Sequence, residues 1–214
     1  IEKEKPMKKN TKLAIVGLSA TLLCASAIGA NFAVNQGVNY GVNGENNAKS
    51  YTLTLNKDTS DAFKTGWNED IFTVNTTLGN PIRFKRVTAD AKGNITAPVA
   101  NTSDGLDMNF QGTKTCAYLF SLDPIQSLSS VSATFTTTNG KIKRIPAYFS
   151  TEPLTETSEE LTNNYGPAML SGGSVTANSY GGEKKYFAIK FYASSGTSSI
   201  TYVLSSLTVD YTCA

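Results

Sequence analysis

Histidine is absent from this chain of 214 residues. That removes Ser-His-Asp and Cys-His catalysis, imidazole-bound zinc and histidine-based nuclease centres. The groups left to do chemistry are carboxylates, three cysteines, one tryptophan and ten tyrosines. A glycosidase needs two acids about 5–10 Å apart. Glu69 and Asp70 are adjacent, and on a strand they would point to opposite faces. Asp104 and Asp107, in SDGLD, are the better-spaced pair, while Glu156, Glu159 and Glu160 read as a solvated acidic face. No pair singles itself out, so the expectation is a non-enzymatic protein without catalytic residues. Calcium takes six to eight oxygens, and the turns at 68–70 and 104–107 supply some. Neither has EF-hand spacing, and Asx residues favour turns on their own account. A structural calcium at Asp104 and Asp107 is the only cofactor the sequence suggests.

Sugar recognition needs flat rings for C–H surfaces, with amides and carboxylates for hydroxyls. Trp67 and Asn68, in GWNED, read as such a platform, or Trp67 plugs one end of a core. Tyr165 in NNYGP and Tyr180 in NSYGG either line the same rim or anchor their loops. Arg83, Lys85 and Arg86 form one short basic segment, and Lys141, Lys143 and Arg144 form another. Paired, they would suit anionic glycans; apart, they are solvated strand faces. No phosphate-binding glycine loop, CxxC or G-x-S-x-G occurs.

The elements that would carry these groups follow an export segment. Met7 begins a positive stretch with Lys8, Lys9 and Lys12, then an apolar run from Leu13 to Cys24, then Ala25-Ser26-Ala27 as an A-x-A site. Residues 1–27 therefore read as a signal peptide, with 1–6 upstream of the natural start. Retention as an anchor, or acylation of Cys24, are the competing readings, and only an uncleaved segment would bring membrane contact. Without residues 1–27 the chain holds 14 basic and 15 acidic residues, no electrostatic basis for nucleic-acid binding. Cleavage leaves Cys116 and Cys213, and an even pair in an exported chain suggests a disulfide.

Residues 28–50 are rich in Asn and Gly and read as a flexible lead-in. From Tyr51 the hydrophobic period is two. Alternating runs appear at 51–55, 70–74, 82–87, 106–110, 115–121, 131–138, 141–149, 184–193 and 199–213. QGTK at 111–114 and Asn139-Gly140 read as hairpin turns. Leu154–Leu161 suggests a turn or two of helix, and Ser174–Asn178 a short strand. In 184–193, Tyr186, Ala188, Lys190 and Tyr192 share one face, with Phe187, Ile189 and Phe191 on the other. The pattern predicts an all-β, antiparallel two-sheet β-sandwich over residues 51–214.

The closing strand with SLTVDYTC, and the middle block DPIQSLSSVSATF followed by Asn139-Gly140, resemble secreted bacterial jelly-roll modules of the galactose-binding-like and carbohydrate-binding kind. That resemblance implies a jelly-roll sandwich, a glycan or cell-surface polymer as partner, and secretion or display at the cell surface. The first functional expectation is thus an exported carbohydrate-binding module. The second is a structural or adhesive surface or filament subunit that self-associates through strand donation. A glycoside-active enzyme is the third.

Overall fold

A computed structural model describes residues 48–90, 92–111, 115–137, 145–162, 168–169, 173–178, 180–192 and 199–213. In chain order the strands are β1 (Lys49–Asn56), β2 (Ile71–Asn75), β3 (Pro81–Ala89), β4 (Ile95–Thr96), β5 (Leu106–Gln111) and β6 (Cys116–Ser121). They continue as β7 (Leu128–Thr137), β8 (Ile145–Ser150), β9 (Ala168–Met169), β10 (Gly173–Thr176), β11 (Tyr186–Tyr192) and β12 (Ser199–Cys213). Asp61–Phe63 and Glu159–Leu161 form single 3-10 turns, so the helix expected at Leu154–Leu161 shrinks to one such turn. The export segment, most of the lead-in, Cys24, Asn139-Gly140, Lys141, Lys143, Arg144 and Tyr165 lie outside the described residues.

All pairings are antiparallel, and they build two sheets. In the first, the order is β1-β12-β7-β10, with β5 also on β12. In the second it is β2-β3-β6-β11-β8-β9, with β4 also on β3. The last eight strands give β5-β12-β7-β10 facing β6-β11-β8-β9, a strand order compatible with a jelly roll. β1 and β2–β4 extend this frame at its N-terminal side.

The connectivity corrects two expectations. β5 belongs to the first sheet and β6 to the second, so QGTK does not join a hairpin. Likewise β7 and β8 lie in different sheets, and Asn139-Gly140 does not close a hairpin either. In this strand order the chain crosses from sheet to sheet after each of these strands. A local turn signal marks where a strand stops, not where the next one pairs.

Alternation decides the core. On β11, Phe187, Ile189 and Phe191 are all buried between the sheets. On β12, Ile200, Tyr202 and Leu204 point inward, and then Leu207, Val209 and Tyr211 do. The parity changes because the register with β7 shifts between Leu204 and Ser206, a bulge at Ser205. At the same place the partner on the opposite edge changes from β5 to β1. Phe110, Phe135, Phe191 and Tyr202 form one aromatic group of the core, with ring centroids 5.5–6.2 Å apart. Phe63, Phe72, Phe84 and Phe187 form the other. Each such buried side chain contributes about 1.5–3 kcal/mol. Gly105 lies against β12 just before β5, where an added Cβ would stand 2.5 Å from Val203 Cγ1; its φ of +141° also disfavours other residues.

The two cysteines expected to pair do not. Cys116 is a free thiol on the outer face of the second sheet, beside Tyr118 and Tyr192. Cys213 follows Val209 and Tyr211 on the inner face of the first sheet. The two lie on strands of different sheets, whereas a disulfide needs Cα atoms within about 7 Å of each other. Burial pushes the Cys116 thiol up, against the Lys190 ammonium and a Tyr118 hydrogen bond that pull it down.

A candidate binding slot beside Trp67

β3 is an inner strand whose outer neighbour changes along its length. Ile71 of β2 sits opposite Lys85, and Thr96 of β4 sits opposite Thr88. Between these two partners the edge is interrupted. The interruption is a slot of about 680 Å³, floored by Lys85, Arg86 and Val87. Asn68, Glu69, Asp70 and Ile71 form one wall, and Ile95, Thr96, Ala97 and Pro98 the other. Glu69 and Asp70 precede β2 rather than lying within it, and both residues line the slot. Ile71 and Ile95 are 41% and 55% exposed on opposing walls. The cleft is thus lined by Asn68, Glu69, Asp70 and Lys85 together with two exposed isoleucines.

The loop before β2 is held from within. Trp67 packs edge-on against Phe72, with ring centroids 5.7 Å apart, and Arg86 Cζ stands 4.7 Å above its ring. Trp67 is half-buried against the core and is not part of the slot lining. Its ring therefore closes the end of the sandwich, while Asn68 beside it reaches the slot.

Arg86 is 1% exposed, pointing inward where Lys85 points out. Its Nη1 donates to Asn101 Oδ1 at 2.9 Å and to the Asp107 carbonyl at 3.0 Å; Nη2 donates to the Glu69 carbonyl at 3.0 Å. Asn101 Nδ2 in turn donates to the Ala62 and Lys64 carbonyls at 2.8 and 3.1 Å. The network ties β3, the loop before β2, the 3-10 turn and the entry to β5 together. Burial pushes the Arg86 guanidinium down to about 10, against the pull of Asp107 and Asp70. Its Nε and Asp107 Oδ1 are buried without hydrogen-bond partners. The carbonyl of Glu69 is therefore fixed by a buried cation, and that fixes where the Glu69 and Asp70 side chains leave the backbone.

The remaining expected groups do not join the slot. Asp104 is exposed, accepting from Lys57 Nζ at 3.1 Å and Thr65 Oγ1 at 3.2 Å. The Lys57 hydrogen bond, with help from Thr65, holds its carboxyl below the usual range. Asp107 is 1% exposed, and its Oδ2 accepts from Thr102 N and Oγ1 at 3.0 and 2.9 Å. One carboxylate faces solvent and a lysine, while the other turns into the network. The two carboxylates therefore point to different surroundings and do not face each other as an acid pair. Among the described residues no group of three His, Cys, Asp or Glu side chains is placed to hold a metal ion. Tyr180 is 90% exposed in a turn, its N–H donating to Asn178 Oδ1 at 2.9 Å. Arg83 is clamped by Asp123, donating from Nε at 2.9 Å and Nη2 at 2.7 Å. The basic run 83–86 thus splits into an ion-paired, a slot-lining and a buried residue.

Sequence reasoning missed the second wall. Its signal was an aliphatic stretch in a turn-rich region, Ile95 to Val99, too short for the alternation test. Among the described residues no helix is long and apolar enough to cross a membrane. Comparison of the chain with protein-family models, with curated proteins and with solved structures finds no match.

Proposed function

We propose that the chain is an exported, non-enzymatic binding module whose ligand is carbohydrate, at the cell surface or in the extracellular space. The reading rests on the slot. A pyranose presents apolar C–H faces and a belt of hydroxyls, and a cleft for it needs aliphatic or aromatic surface next to a few polar groups. Ile71 and Ile95 supply the first; Asn68, Glu69, Asp70 and Lys85 supply the second. Carboxylates and an ammonium accept from and donate to hydroxyls, and such charge-assisted bonds are the strong ones. The sugar-facing role moves from the Trp67 ring to its neighbours. Secretion is the setting in which a surface glycan is met, and it rests on the Met7–Ala27 segment.

The test is a glycan array followed by titration of the best hit. Glu69→Gln and Lys85→Met are each expected to weaken binding about 10–100-fold, the worth of one charged hydrogen bond. Tyr180→Ala should change nothing. An array without hits, or a hit indifferent to both slot variants, would remove the proposal.

The second reading is a structural or adhesive subunit. It draws on the outer face of the first sheet, where Ser and Thr dominate the outward positions of β1, β7, β10 and β12. Adhesion through such a face would leave the slot variants without effect and respond to substitutions on those strands.

A further inference from the structure

β1 is the long open edge of the first sheet. It has eight residues, against four in β10, five in β2, and two each in β4 and β9. β5, with six, carries Asp107. Sheets blunt their edges with short strands, bulges, proline or charge, because bare N–H and C=O groups recruit other strands. β1 (KSYTLTLN) has a charge only at its first residue, and neither proline nor a register shift against β12. Among the described residues β12 is its one partner.

The backbone groups that β1 offers outward can be identified. Thr212 N donates to the Ser127 carbonyl at 3.0 Å, away from β1. Ser50, opposite Thr212, is therefore in a non-hydrogen-bonded pair, and so are Thr52 and Thr54 by alternation. Their N–H and C=O groups point to the open side. Those of Asn56 are taken by the following turn, through Thr59 Oγ1 and through the N–H groups of Thr59 and Ser60.

We propose that this edge pairs with β1 of a second copy of the chain, antiparallel about a two-fold axis at Thr52. In that register Thr52 faces Thr52 of the second copy, and Ser50 faces Thr54. Every open N–H and C=O then finds a partner, with none left over. Tyr51 meets Leu53 on the core side, so the inward rows of the two molecules join. Ser50, Thr52 and Thr54 stay together on the hydroxyl side. Lys49 meets Leu55, so no like charges oppose. A shift by one residue would put the hydroxyl row against the core row, and a shift by two would lose pairs to the occupied Asn56. The strand is self-complementary, which is what an isologous interface requires. The result is one continuous sheet across two molecules.

The test uses the full chain in sedimentation velocity over a range of concentrations. A reversible dimer is expected. Thr52→Pro should shift it to monomer while leaving the circular-dichroism spectrum unchanged, because the lost N–H does not bond β12. Thr52→Cys provides a second arm. Across a hydrogen-bonded pair the Cα atoms lie about 5.5 Å apart, within disulfide reach. Mild oxidation should link Thr52→Cys to its own copy, a bond mapped by peptide mass spectrometry. Thr54→Cys, about 13 Å out of register with itself, should not link. A monomer at every concentration, a dimer unaffected by Thr52→Pro, or equal linking of both cysteine variants would overturn the proposal.

Discussion

Ala188 and Lys190 on β11, and Thr208 and Asp210 on β12, hold equivalent places. All four point outward from an inner strand of their sheet. On the first sheet the outward rows are hydroxyls: Thr54, Thr208, Ser132 and Ser174 stand side by side across four strands. Asp210 is the charged group in the next row, accepting from Thr52 Oγ1 and Ser130 Oγ at 2.7 Å each. On the second sheet the same positions are buried. Residues 151–162 lie across them, and Leu154 and Leu161 pack with Val87, Phe120, Tyr148 and Ala188 into a second small core. Lys190 Nζ donates to the Leu161 carbonyl at 2.6 Å and fastens this strap. The contrast teaches that alternation sets which way a side chain points, while a passing loop decides whether that direction is water.

The largest expected difference follows from the two leucines. Leu161→Ala should cost about 2–4 kcal/mol in chemical denaturation, the range for emptying a buried leucine site. Thr208→Ala on the opposite face should stay within about 0.5 kcal/mol. Equal losses would abolish the distinction between a covered face and an open one. Next in size is Lys190→Met, which keeps the stem and removes the bond to Leu161. It should cost about 1–2 kcal/mol, and limited proteolysis within 151–162 should accelerate about tenfold. Unchanged cleavage would mean that the leucines hold the strap unaided. The smallest effect concerns Asp210→Asn, which keeps an acceptor for one of the two hydroxyls. Within about 1 kcal/mol is expected, read from the denaturation midpoint; a larger loss would make the hydroxyl face a cooperative network.

Much of the sandwich could be read from alternation. Tyr186–Tyr192 of KKYFAIKFYA became β11 with its two faces as expected, and SITYVLSSLTVDYTC became β12, because aromatic and β-branched residues at period two favour a strand. Connectivity could not be read, since QGTK and Asn139-Gly140 look the same whether the next strand returns or crosses. The covering of Ala188 and Lys190 was also hidden, because it depends on Leu154 and Leu161, which lie far from β11 in sequence, and their own spacing does not tell which sheet face they cover. At the slot, Asn68 and the adjacent acids were visible as a polar loop. Trp67 packed against the core is one of the two readings that GWNED allowed; the Arg86 guanidinium above its ring could not be read, because it comes from β3 and sits in a basic run.

β12 has a kinetic consequence. It sits between β7 and both β1 and β5, and it brings together residues as far apart as Thr52 and Asp210, 158 positions along the chain. Until β12 has emerged, β1 and β5 have nothing to pair with, so no part of that layer except the β7–β10 contact can assemble early. Pairings of such long range make folding slow and late. The first sheet therefore sets into shape only once β12 is in place, whereas every strand of the second precedes it in the chain.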